Sequence, residues 1–167
     1  SQNVLSKPSL LDMLRAQERV TERTSLRVVA SRSSAQQVAR VLDPTAQTLE
    51  AQIRAVEQAT PAQIDAAVRR AASVPGFTGS LSNDFNAQSA RASSTIAVLT
   101  HEVPAGLSGG VGTSGSSPLQ SIQVETERVI ESGDGDFRVF GTGIISSEFA
   151  NVIFDSLIIV LPAAVLL

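Results

Sequence analysis

The one histidine of the chain, His101, is followed directly by Glu102 near the end of an apolar stretch. A histidine beside a carboxylate can act as a general base or hold a metal ion. Adjacent residues of a strand point to opposite faces, so these two side chains do not converge on one ligand. The chain has no cysteine, so a zinc site would need further carboxylates. We predict neither a catalytic nor a metal site here and expect His101 to lie at a strand end beside solvent.

Two further patterns resemble ligand-binding loops without the residues that the chemistry requires. Glycines 109, 110 and 112 suggest a phosphate loop, but no lysine follows in the GxxxxGK[ST] spacing. Asp134 and Asp136 have the D-x-D spacing of a calcium loop, but the other EF-hand ligands are absent. We therefore predict no cofactor, and we interpret 105–117 as a flexible loop and Asp134-Gly135 as a solvated turn.

Composition excludes one large class of partners. The 167 residues carry a net charge of −3, which gives no electrostatic footprint for nucleic acid. Tryptophan and tyrosine are absent, so aromatic binding surfaces are limited to six phenylalanines. The length is enough for one domain with a real core.

Apolar residues at helical spacing predict five helices before the C-terminal segment. The strongest local signal is Thr60-Pro61-Ala62-Gln63, in which Thr60 caps a helix, Pro61 needs no N–H partner, and Gln63 completes a capping box. Ser9, Ser34 and Ser117 are predicted to cap three other helices. The predicted helices cover about residues 9–23, 34–42, 60–74 and 117–132, and a further helix carries Leu49, Ile53 and Val56.

Stretches rich in β-branched residues predict strands at 25–30, 95–103 and 137–143. The order strand, helix, strand after residue 95 favours parallel strands joined by a right-handed crossover. An earlier helix–strand pair would form a second such unit if a strand preceded Ser9. The predicted fold is therefore α+β, a ferredoxin-like split βαβ sheet with helices on one face and a helical insertion at 31–75.

The C-terminal segment from Leu157 to Leu167 contains no charged or polar side chain. A membrane-spanning helix needs about 20 apolar residues, so this run is either a buried core helix or part of a membrane helix. We predict a last helix capped by Ser146 or Ser147, with a domain at 1–150 and the start of a transmembrane helix at 151–167. Exposed apolar area here would favour a homo-oligomer.

The segment from Phe137 onward resembles the end of the first large extracytoplasmic loop in RND-superfamily exporters, most closely the MMPL-type branch found in archaea and bacteria. The block SNDFNAQSARASSTIAVLTHEVP also resembles the loop of that family, with a helical insert followed by a core strand. The residues that carry the first resemblance are Val139, Gly141, Gly143, Glu148, Phe149 and the run Leu157–Leu167.

The resemblance implies a porter-type domain, built from βαβ units, on the extracytoplasmic side of the cell membrane. Such a domain has no enzymatic activity and passes lipid or other hydrophobic substrates outward, driven by an ion gradient through helices that this sequence does not contain. Its partners would be membrane lipid or a hydrophobic substrate and the rest of its own transporter chain. Candidate substrate-binding residues are Phe77, Phe85, Phe137 and Phe140.

Three alternatives remain open from the sequence. One is a SecD/SecF-like head domain, whose cargo is a protein chain. Another is a self-contained, soluble α+β ligand-binding or sensor domain in which the apolar C-terminus is a buried helix. The last is a small hydrolase that uses His101.

Overall fold

The computed structural model describes residues 3–104, 118–142 and 152–162. Both helices and strands are present, which confirms the α+β class. The helices are α1 Lys7–Glu22, α2 Ser34–Leu42, α3 Leu49–Gln58, α4 Pro61–Ala71 and α5 Pro118–Glu131. The strands are β1 Val28–Ser33, β2 Ser94–Pro104, β3 Arg138–Thr142 and β4 Val152–Pro162, and short 3₁₀ turns occur at Thr24–Leu26 and Thr78–Ser80.

The four strands form one sheet in the order β1-β2-β4-β3, and each hydrogen-bonded pair is antiparallel. Since β2 and β3 are both antiparallel to β4, they run in the same direction, as the sequence predicted for strands joined by α5. They are not hydrogen-bonded to each other, because β4 lies between them. The unit β2-α5-β3 is thus a βαβ crossover that is split by a third strand.

The prediction of a C-terminal apolar helix is wrong for Val152–Pro162, which is strand β4. Five of its eleven residues are valine or isoleucine, whose branched side chains favour strands. Its backbone pairs with β2 along its whole length and with β3 from Ser156 to Val160. The sheet therefore extends past the boundary predicted at residue 150, and residues 163–167 lie outside the described residues.

Of the helices in the described ranges, none is long and apolar enough to cross a membrane. The predicted last helix would have begun at Ser146 or Ser147, which lie outside the described residues. The loop predicted at 105–117 also lies outside them, and so does the Ser117 cap, although α5 does begin with Pro118.

Helix caps were predicted correctly where the signal was a complete motif. Thr60 Oγ1 accepts from the Gln63 N–H at 3.2 Å, and Gln63 Oε1 accepts from the Thr60 N–H at 2.8 Å, which confirms the capping box. The single-serine predictions were wrong by a few residues. Ser6, not Ser9, precedes α1, and Ser33, not Ser34, caps α2 by accepting from the Gln36 N–H.

The core lies between one face of the sheet, here called the inner face, and the helices. On β2 the inner face is formed by Thr95, Ala97, Leu99 and His101, all buried. Helix α1 packs against α5, and also against α2 and α3 of the helical block between β1 and β2. This block, α2 to α4, is the predicted insertion, except that residues 31–33 belong to β1.

A buried polar network joins α1, β1 and α2 at one edge of the core. Gln17 Nε2 donates to Ser31 Oγ and to Gln36 Oε1, the latter at 2.9 Å. Ser33 Oγ donates to Gln17 Oε1 at 2.7 Å and accepts the Gln36 N–H. The hydrogen bonds compensate for burying two amide side chains, so the network fixes how α2 leaves the sheet.

Candidate functional site

His101 is fully buried, so the expectation that it lies beside solvent is wrong. Its Nδ1 donates to the carbonyl oxygen of Leu26 over 2.6 Å, which links the middle of the sheet to the turn before β1. Its backbone is the register partner of Asp155 on β4. A histidine enclosed in this way has a structural role in the core and offers no open surface to a substrate.

Of the four predicted phenylalanines, two are in ring contact. Phe77 is fully buried, and its ring meets that of the partly buried Phe85 edge to face, with centroids 5.9 Å apart. Phe137 is also buried, and its ring lies beside Gly135. The register pairs Phe140 with Ile158 on β4. Substrate binding by these residues remains a prediction.

The sheet has a second face, here called the outer face, that lies opposite the core. On β2 it carries Ile96, Val98, Thr100 and Glu102, which alternate with the buried residues of the inner face. Ile96 is 37% exposed, and Val98 and Thr100 are partly buried. An antiparallel sheet with one solvated face normally shows polar residues there, so apolar residues on both faces are unusual.

Strand pairing extends this apolar strip across the sheet. Val98 is the register partner of Ile158, which in turn pairs with Phe140. One step along, Ile96 pairs with Val160. The centre of the outer face is therefore a band of apolar positions from β2 through β4 to β3.

Arginines occupy both sides of this band. Arg32 on β1 is the register partner of Val98, and Arg138 on β3 is the partner of Val160. Both side chains are exposed. The geometry and charge therefore suit an apolar ligand or partner with negative charges along its flanks.

A separate surface groove of about 430 Å³ lies between α2, α3 and α4. Its volume is within the range of small-molecule sites. Most of its lining residues are small or aliphatic, and Asp43 and Arg70 are its charged residues. The lining is Val41, Leu42, Asp43, Ala55, Gln58, Ala59, Gln63, Ala66, Ala67 and Arg70.

The pKa values of the Asp12 and Asp43 carboxyl groups are shifted in opposite directions. Partial burial raises the pKa of the Asp12 carboxyl, and repulsion from Asp134 adds to the rise. At Asp43, the hydroxyl and N–H of Thr45 donate to the carboxylate and lower its pKa. Neither residue belongs to a metal cluster, since the described part of the chain contains no group of three or more metal-ligating side chains.

Sequence reasoning missed the outer face as a candidate site. The available signal was that β2 and the last apolar run are hydrophobic at both odd and even positions, which is typical of strands covered on both faces. No protein-family model, curated protein or solved structure matched this chain, so the candidate site is described from its own residues alone.

Proposed function

We propose that this chain is the porter-type, extracytoplasmic domain of an RND/MMPL-type exporter that passes lipid or other hydrophobic substrates out of the cell membrane. The observation that carries the proposal is the split crossover β2-α5-β3, in which β4 is inserted between the two parallel strands. The sequence resemblance implies a domain built from βαβ units of this kind.

The finer fold that supports this proposal is a ferredoxin-like sheet in permuted order. A ferredoxin-like fold combines two helix–strand crossovers in one antiparallel sheet with both helices on one face. Here α5 belongs to the first crossover, and the pair α1-β1 supplies the second helix and the edge strand beside β2. The strand that the sequence prediction lacked before Ser9 is therefore not needed, because β4 completes the sheet.

In this proposal the membrane-spanning helices and the ion relay lie outside the described residues, and the domain supplies apolar surface to the substrate. The partners are then the cargo and the remainder of the transporter chain, at the extracytoplasmic side of the membrane. No catalytic group is required, because passage of cargo makes and breaks no covalent bond.

The first experiment is to sequence the parent gene on both sides of this coding region. We expect apolar segments of about 20 residues to flank the domain. The full parent protein, in membrane vesicles with an imposed ion gradient, should then expel a lipophilic dye such as N-phenylnaphthylamine. Efflux that persists when the gradient is collapsed, or a parent gene without flanking apolar segments, would contradict the proposal.

A self-contained ligand-binding domain is the second candidate, and two observations favour it. The apolar segment Val152–Pro162 is a strand of the sheet, so it pairs with β2 rather than forming a membrane helix. The groove between α2, α3 and α4 has the volume of a ligand site. This candidate predicts a parent gene without flanking membrane segments and a ligand whose binding is lost on Ala66→Trp, a substitution that would fill the groove.

A further inference from the structure

The outer face of the sheet has the features of a surface that a further layer covers. Strand β2 places Ile96 and Val98 on it, and the register adds positions 158 and 160 from β4. Within the described residues, helices pack on the inner face, and a layer on the outer face would complete a three-layer arrangement. The question is which structure supplies that layer.

Spacing across the sheet limits the shape of the occupant. Arg32 and Arg138 are on the two edge strands, three inter-strand spacings apart, which corresponds to about 14 Å across the sheet. An α-helix with its side chains is about 10–12 Å in diameter. One helix lying along the strands would therefore cover the apolar band and have an arginine on either side.

Charge determines which residues such a helix would carry. Both arginines are exposed, and neither makes an ion pair within the described residues. Among the strand positions of the outer face, Glu102 is the carboxylate, and it lies toward the opposite end of β2 from Ile96. A complementary helix would have a stripe of apolar residues flanked by glutamate or aspartate.

A second copy of the sheet fits this face less well. Two sheets that pack face to face keep their strands within about 30° of each other, so the edges of one sheet meet the edges of the other. With Arg32 and Arg138 at the two edges, such a dimer would bring like charges together. Like-charge contact disfavours association, so self-pairing through this face is not expected.

We propose that the outer face is a docking site for an acidic amphipathic helix of a partner protein, which lies along β2 and β4 between Arg32 and Arg138. This inference does not depend on the exporter proposal. It applies equally to a self-contained binding domain, because it rests on the register, exposure and charge of the sheet.

The test uses two fluorescein-labelled model peptides of 18 residues with the same leucine stripe. One has glutamate along both flanks and the other has lysine, and binding to the chain is followed by fluorescence anisotropy. We expect saturable binding of the glutamate peptide only. The double substitution Arg32→Glu with Arg138→Glu should weaken that binding about tenfold and create binding of the lysine peptide.

The matched control is Arg40→Glu with Arg128→Glu, which changes the net charge equally at exposed helical positions. This control should leave binding of the glutamate peptide unchanged, whereas Val98→Asp should abolish it. Thermal melts followed by circular dichroism verify that each variant is folded.

Four results would overturn the proposal. Equal affinity for the two peptides would show that charge does not select the partner. Binding that resists the double charge reversal would place the peptide elsewhere. Saturable binding to phosphatidylglycerol vesicles without peptide binding, or a dimer that Val98→Asp converts to monomer, would assign the face to a membrane or to a second copy.

Discussion

His101 on β2 and Leu26 in the turn before β1 are 75 residues apart and share a buried hydrogen bond of 2.6 Å. We expect His101→Ala to lower the free energy of unfolding by about 2–4 kcal/mol, because it leaves a cavity and removes the donor for the Leu26 carbonyl. Urea denaturation measures this change.

The control for this substitution is Thr100→Ala, one position away on the partly buried outer face, where we expect about 0.5 kcal/mol or less. Equal losses for the two variants would mean that the sheet does not alternate between a core face and an outer face at this point. A retained stability in His101→Ala would contradict the structural role of the histidine.

Gln17 is expected to stabilise the packing of α1 against β1 and α2. Replacing it with alanine removes the partners of Ser33, Ser31 and Gln36 in a buried region. We expect a loss of about 2–3 kcal/mol in the free energy of unfolding. A double-mutant cycle with Gln36→Ala measures the coupling free energy between the two glutamines. Strict additivity of the two stability losses would argue against a coupled network.

The opposite pKa shifts of Asp12 and Asp43 predict opposite effects on the pH dependence of stability. The pKa of folded Asp12 is raised by burial and by Asp134, so its contribution favours folding below the ordinary aspartate pKa of 3.8 and is lost as pH rises through the folded pKa. The pKa of Asp43 is lowered by its Thr45 hydrogen bonds, so its contribution is present above 3.8 and is lost as pH falls through the folded pKa.

Asp12→Asn should therefore raise stability at neutral pH relative to acid pH, and Asp43→Asn should lower it. The measurement is the urea midpoint of each variant and of the parent chain across pH 2–7. The two variants serve as controls for each other, since each removes one carboxylate. Parallel changes in the two pH profiles would contradict the assigned environments.

Local signals in the sequence predicted the parts of the fold that depend on few neighbouring residues. The Thr60 capping box is determined by four consecutive residues, so its helix could be recognised directly. The burial of His101 depends on Leu26, which is far away in the chain, so no local pattern could show it.

The apolar C-terminal run shows most clearly what local sequence patterns cannot predict. A short, uninterrupted apolar segment has no periodicity, so a buried strand and a buried helix cannot be distinguished from it. The content of valine and isoleucine in Val152–Pro162 was the available signal for a strand. The outer face was missed as a consequence, because its apolar band spans the sheet only when the last apolar run is a strand between β2 and β3.

The position of β4 is tested most directly by a cross-strand disulfide in a chain that has no cysteine. Thr100 and Ser156 are register partners, and antiparallel partners have Cα separations of about 4.5–5.5 Å, within the range that a disulfide spans. The pair Thr100→Cys with Ser156→Cys should form an intramolecular disulfide under mild oxidation. The pair Thr100→Cys with Leu157→Cys, which is one residue out of register and on the opposite face, should not.

The readout is the mobility shift on a non-reducing gel, with a reducing lane for each pair. Rapid cross-linking of the first pair alone would be the result expected from β4 as a central strand. Failure of the first pair to cross-link, or equal cross-linking of both pairs, would contradict the position of this segment in the sheet and would remove the split crossover on which the proposed function rests.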